Sequence, residues 1–138
     1  MTMRRGLFIV FPLVLALQAC AGLAAGACSP GLTRMTQAQL FFGRNIQAGA
    51  TLSDAQWRDF VDQEVTPRFP DGFSVSDVAG QYRNQSGVIV REPSKQLLIV
   101  TRDIGADESK LNAIRDAYKR RFNQESVLLV ETPVCGGF

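Results

Sequence analysis

The sequence predicts an α+β domain: a four-stranded antiparallel sheet with two helices on one face. Two observations predict it. Apolar segments follow one another in the order strand, helix, strand, strand, helix, strand. Two cysteines, Cys28 and Cys135, stand just before the first of these segments and at the end of the last.

Each element has a local reason. Residues 37–46, QAQLFFGRNI, read as a strand centred on Leu40, Phe41 and Phe42, whose adjacent apolar side chains make both faces apolar. Residues 52–67 carry the clearest helix start in the chain. Ser53 is a capping residue, and Gln56 three positions on completes a capping box. Trp57, Phe60, Val61 and Val65 then recur on one face, and Pro67 stops the helix. Residues 68–72, RFPDG, read as a turn. Residues 73–83 read as a polar, glycine-containing edge strand, and residues 84–87, NQSG, as a turn. Residues 88–102 read as a long strand with a bulge or bend at Pro93. Asp107 is taken as the cap of a second helix whose buried stripe is Leu111, Ile114, Ala117, Tyr118 and Phe122. Residues 126–135, SVLLVETPVC, read as the last strand.

This order is the split β-α-β arrangement of ferredoxin-like folds. In that topology the first and last strands are antiparallel neighbours, so Cys28 and Cys135 come together. Cysteine parity points the same way, because one of three cysteines is left over from a single disulfide. The sheet carries a second implication. Two helices cover one face, yet residues 40–42, 97–100 and 127–130 are apolar on both. The open face is therefore expected to be covered. A second copy, as in dimeric α+β barrels, is one way; a ligand or another protein is the alternative.

The N-terminus reads as an export signal. Arg4 and Arg5 precede an apolar run from Leu7 to Leu17, followed by small residues. That run is shorter than the about 20 residues needed to span a bilayer. Residues 17–20, LQAC, resemble a lipobox, with Cys20 as the lipid-bearing residue; a cut after Ala27 is the alternative. The expected organisation is a signal peptide over residues 1–19, a tether over 20–36 and one α+β domain over 37–138. The expected location is the bacterial cell envelope, membrane-anchored through Cys20, or soluble and periplasmic or secreted if the later cut is made.

Composition narrows the chemistry. The chain has 15 Lys+Arg and 13 Asp+Glu, and removing Arg4 and Arg5 balances them. No basic footprint argues for nucleic acid. There is no histidine, which excludes histidine acid–base catalysis, Ser-His-Asp and Cys-His systems and His-ligated metal sites. No residue pattern calls for a bound cofactor or metal.

LFFGR (40–44), TPRFPDG (66–72), GQYR (80–83), REPSK with LLIV (91–100) and AIRDAYKRRFNQESVLLVETPVC (113–135) together resemble a family of small exported bacterial proteins catalogued as a domain of unknown function. The resemblance covers about residues 34–138. It implies a bacterial, exported or lipid-anchored protein and brings no activity or catalytic residue with it.

The candidate ligand-binding residues are Arg68, Tyr82, Arg91, Glu92, Lys95 and Arg102. Arg68 sits in a proline-rich turn that otherwise explains itself as turn chemistry. Arg91, Glu92 and Lys95 flank the expected bulge, and bulges re-aim side chains beside sites. Tyr82 and Arg102 lie on or near strands beside the open face. The sequence favours a small envelope binding or interaction module. The alternative is a cofactor-free enzyme or small-molecule-binding protein of the dimeric α+β barrel type.

Overall fold

A computed structural model describes residues 26–46 and 49–137. The signal peptide and Cys20 lie outside the described residues. Four strands form one sheet: β1 (Thr33–Gly43), β2 (Ser74–Arg83), β3 (Ile89–Thr101) and β4 (Leu128–Gly136). Their order is β2-β3-β1-β4, and every neighbouring pair is antiparallel. Helices α1 (Asp54–Phe60) and α2 (Ile104–Phe122) follow β1 and β3. This is the expected ferredoxin-like α+β arrangement. Strand β1 begins at Thr33, so the last four residues of the expected tether already belong to the sheet.

The expected capping box is present. Ser53 Oγ accepts from the Gln56 amide, and Gln56 Oε1 accepts from the Ser53 amide. Trp57 and Phe60 point into the core. The helix then widens into π-helical geometry over Val61–Val65, with the Thr66 amide bonded to the Val61 carbonyl. The wider turn puts Val65 fully inside and leaves Glu64 nearer the surface. The capping pattern says where a helix begins; nothing in it reports such a bulge.

Two expectations are corrected. The cap of helix α2 lies four residues before Asp107: it is Asp103, accepting from the Ala106 amide. Asp107 instead bonds Thr101 Oγ1 and Lys110. Pro93 makes neither bulge nor bend. The β2–β3 register runs unbroken through Ala79–Pro93, and β3 is one 13-residue strand. The Pro93 carbonyl accepts from the Arg44 amide, on the β1 side, where β1 has just ended. The N–H that proline lacks would face that same side, so no ladder bond is lost there.

The core lies between sheet and helices. Ala38, Leu40 and Phe42 from β1, Leu97 and Ile99 from β3, and Val127 pack against Trp57, Phe60, Leu111, Ile114, Tyr118 and Phe122. Phe42 makes edge contacts with the rings of Trp57, Phe60 and Tyr118 at 5.2, 6.0 and 4.7 Å between centroids. The Tyr118 phenol is satisfied inside this cluster by donating to the Gly43 carbonyl at 2.8 Å. Its burial pushes the phenol's pKa well above the usual range.

Cys28 and Cys135 form a disulfide with a Cα–Cα distance of 5.5 Å and a sequence separation of 107. A loop of that size corresponds to about 5 kcal/mol of stability in the chain-entropy model. Replacing both cysteines by serine is therefore expected to lower the unfolding free energy by several kcal/mol, measured by denaturant titration. An unchanged midpoint would show that the bridge adds nothing the strand pairing does not already supply.

Candidate functional site

Strand alternation sorts the six candidate residues. Lys95 shares the helix-covered face with Leu97 and stands opposite Asp77. Glu92 and Ser94 share the open face with Gly80 and Val78, their β2 partners, and with Gly43 on β1. Tyr82 is on the open face, and exposed. Arg91 falls on the opposite face from Glu92 and is exposed. Arg68 and Arg102 lie apart from these four. Both line a cleft of about 970 Å3 between the 68–74 turn, the end of β3 and the start of α2.

Lys95 is not a free site cation. Its Nζ lies 2.5 Å from Asp77 and 3.1 Å from Asp54. Arg44 joins the cluster, 3.2 Å from Asp54 and 3.9 Å from Asp77, and its guanidinium also donates to the Leu52 carbonyl. Two cations and two carboxylates thus tie the first turn of α1 to β2, β3 and the end of β1. The hydrogen bond to Asp77 raises the Lys95 pKa, outweighing the burial that lowers it, and Asp54 adds to the rise. The hydrogen bond from Lys95, then the charges of Lys95 and Arg44, lower the Asp54 pKa. Arg44, Asp54 and Asp77 were not among the expected residues. Their signal is pairwise: Asp77 meets Lys95 only once the β2–β3 register is known.

Glu92 has a different setting. It is only 9 % exposed. Its Oε2 accepts from the Asn45 amide at 3.0 Å. Among the described residues, Oε1 accepts no hydrogen bond and no cation pairs with the carboxylate. The neighbouring cations are directed elsewhere: Arg91, next in sequence, to the opposite face, and Arg44, across the β1–β3 pairing, into the cluster of Lys95. Two strand glycines make its space. A Cβ at Gly43 would sit 2.6 Å from Glu92 Cδ, and one at Gly80 would sit 3.8 Å from Glu92 Cγ and 2.8 Å from Ser94 Oγ. Loss of solvation raises the Tyr82 pKa, and the negative fields of Glu92 and Glu125 add to it. A glycine inside a strand is the available signal of a close approach; that a carboxylate fills the space is not written in the sequence.

In the cleft, Arg68 is largely occupied, donating to the Glu64 carbonyl and carboxylate. Lys110 pairs with Asp107 and lies over the Phe69 ring. Arg102 makes no hydrogen bond or ion pair among the described residues. Those residues also contain no group of three His, Cys, Asp or Glu able to hold a metal ion.

A phage SAM lyase in complex with S-methyl-5′-thioadenosine is similar in structure, with a TM-score of 0.57 at 20% identity over 83% of this chain and 95% of that one. CutA from Synechococcus elongatus gives a TM-score of 0.48 at 14% identity over 75% and 80% of the two chains. The lyase likeness establishes the fold. No curated protein matches. A family model matches residues 37–138.

The Lys95 cluster carries a pH prediction. Asp54, with its pKa depressed, contributes stability that is present above its unfolded value and lost as pH falls through the folded one. Lys95, with its pKa raised, contributes stability that is present below its unfolded value and lost as pH rises through the folded one. The cluster therefore supports the fold between about pH 4 and about pH 10. Lys95→Met is expected to cost about 1 kcal/mol at neutral pH, since both its partners are largely exposed. The difference from the unmodified protein should shrink below pH 4, read from denaturant midpoints across the pH range; a constant difference would show that the cluster does not act through charge.

Proposed function

We propose that this chain, which belongs to the family described as "Protein of unknown function (DUF3574)", is an exported binding module of the bacterial cell envelope that works through its open sheet face. The observation that carries the reading is the composition of that face. Tyr82, Val100, Leu128 and Val130 are exposed large side chains on it, and Phe41 and Leu98 lie between them half-buried. Gln39, Gln96 and Ser76 run across the same face as a hydrogen-bonded row, with Gln96 donating to Gln39 at 2.6 Å and Ser76 donating to Gln96 at 3.2 Å. An apolar surface crossed by an ordered polar row suits recognition, since the row gives register to whatever docks. The occupant we assign is a second copy of the chain.

Sedimentation at micromolar concentration tests this. The protein is expected to sediment as a dimer or larger assembly, and Leu128→Asp with Val130→Lys is expected to give a folded monomer. A monomeric unmodified protein would overturn self-association. A second reading, small-molecule binding, is favoured by the cleft at Arg68 and Arg102, whose volume falls in the ligand range. A monomer whose melting point rises with S-methyl-5′-thioadenosine, the compound bound in the phage lyase, would support that reading instead.

The envelope location rests on Arg4, Arg5, the Leu7–Leu17 run and Cys20. Protein taken from its native envelope is expected to begin at Cys20 and carry acyl mass. An unacylated chain beginning at Cys28 would make it a free secreted protein.

A further inference from the structure

We infer that Glu92 is the anchoring group of a binding site for a small organic cation with a flat apolar body. Four observations on the open sheet face converge on it.

Glu92 is nine-tenths buried as a residue, and its carboxylate has no cationic partner among the described residues. Carboxylates are rarely buried unless paired, because desolvation disfavours the charge. One backbone N–H from Asn45 satisfies only one of its two oxygens. The second, Oε1, accepts nothing, yet no buried side-chain oxygen among the described residues is both sealed from solvent and unbonded. Oε1 therefore reaches solvent: the carboxylate is buried on one side and open through an aperture on the other.

The site is built to hold the carboxylate in place. Gly43 and Gly80 lack the Cβ atoms that would crowd it. The Gly43 backbone is fixed from the far side of the sheet by the Tyr118 phenol. The Asn45 backbone is fixed twice over, its carbonyl accepting from Gln124 Nε2 and its residue bridged to Thr51. A carboxylate held by a rigid frame loses little freedom when it binds.

The local field is negative. Glu125 adds to that of Glu92 at Tyr82, so a cation is favoured over a neutral donor. Aromatic side chains stand further along the same face. Phe41 stands opposite Leu128 on the same face, two residues before Gly43, and Tyr82 stands on β2 two residues beyond Gly80. Aromatic side chains beside a carboxylate suit an ammonium carried on a flat body. All these residues belong to one copy; Phe41, Tyr82 and Leu128 also lie on the face assigned to a second copy, so the cation and self-association would compete there.

Benzylammonium is the probe, and benzyl alcohol is its neutral counterpart of similar shape. Benzylammonium at millimolar concentration is expected to shift the Asn45 and Gly43 amide resonances, with binding that weakens as salt rises. Benzyl alcohol is expected to bind at least tenfold more weakly. Glu92→Gln keeps an acceptor for the Asn45 amide and removes the charge. It is expected to lose about 10- to 100-fold in affinity, the range of one charge-assisted hydrogen bond. Shifts that do not occur, equal binding of the alcohol, or equal affinity in Glu92→Gln would each overturn the assignment. The comparison of amine with alcohol uses the unmodified protein, so it decides the matter even if the variant does not fold.

Discussion

The structure depends on how the end of β1 is pinned, and four consecutive residues do the pinning. Phe42 enters the aromatic cluster that holds both helices on the sheet. The Gly43 carbonyl takes the only hydrogen bond that satisfies the buried Tyr118 phenol among the described residues. Arg44 reaches the Leu52 carbonyl and Asp54, fixing the entry into α1. Asn45 turns its amide to Glu92 and its carbonyl to Gln124. Core, helix start and candidate site are thus joined through one short stretch of backbone. A shift there is felt in all three, because packed interiors transmit displacement rather than absorb it.

The two faces of β3 show how one strand serves two purposes. Lys95 faces the helices and is spent on holding α1 against β2. Glu92, three residues earlier, faces the other way and is left half-satisfied. Adjacent charged residues in REPSK look like one cluster in the sequence, but strand alternation assigns them to opposite sides of the sheet. The network of Lys95 is closed, since each of its charges meets an opposite charge. The carboxylate of Glu92 is not closed in this way, which is what separates a structural ion cluster from a binding group.

Much of the fold was legible because its signals are local or topological. The Ser53–Gln56 box fixed the start of α1 by geometry within one turn. The adjacent apolar side chains of Leu40, Phe41 and Phe42 marked β1 as a strand apolar on both faces, while packing alone shows that Leu40 and Phe42 face the helices. The split β-α-β order brought Cys28 to Cys135 without any local signal at all. The misses share a physical cause. Asp103 and Asp107 both have capping chemistry, and the choice between them was made by where β3 ends. Pro93 reads as a disruption until it is known that its missing donor faces past the end of β1. The π-helical turn and the pairing of Arg44 and Asp77 with Lys95 arise only from packing and register. The site residues named from sequence fell into three separate places, because proximity along a strand does not predict which face a side chain takes.

The disulfide has a mechanical consequence. It bolts the segment entering β1 to the far end of β4, and those two strands are antiparallel neighbours. A pull applied to the chain ahead of Cys28 cannot peel β1 from its neighbours one hydrogen bond at a time. The load passes through a covalent link into β4 as well, so the two strands must be displaced together. A domain tethered through that segment would transmit tension to its sheet as a unit and keep the opposite end, where Phe42 to Asn45 organise the helices and Glu92, free of strain.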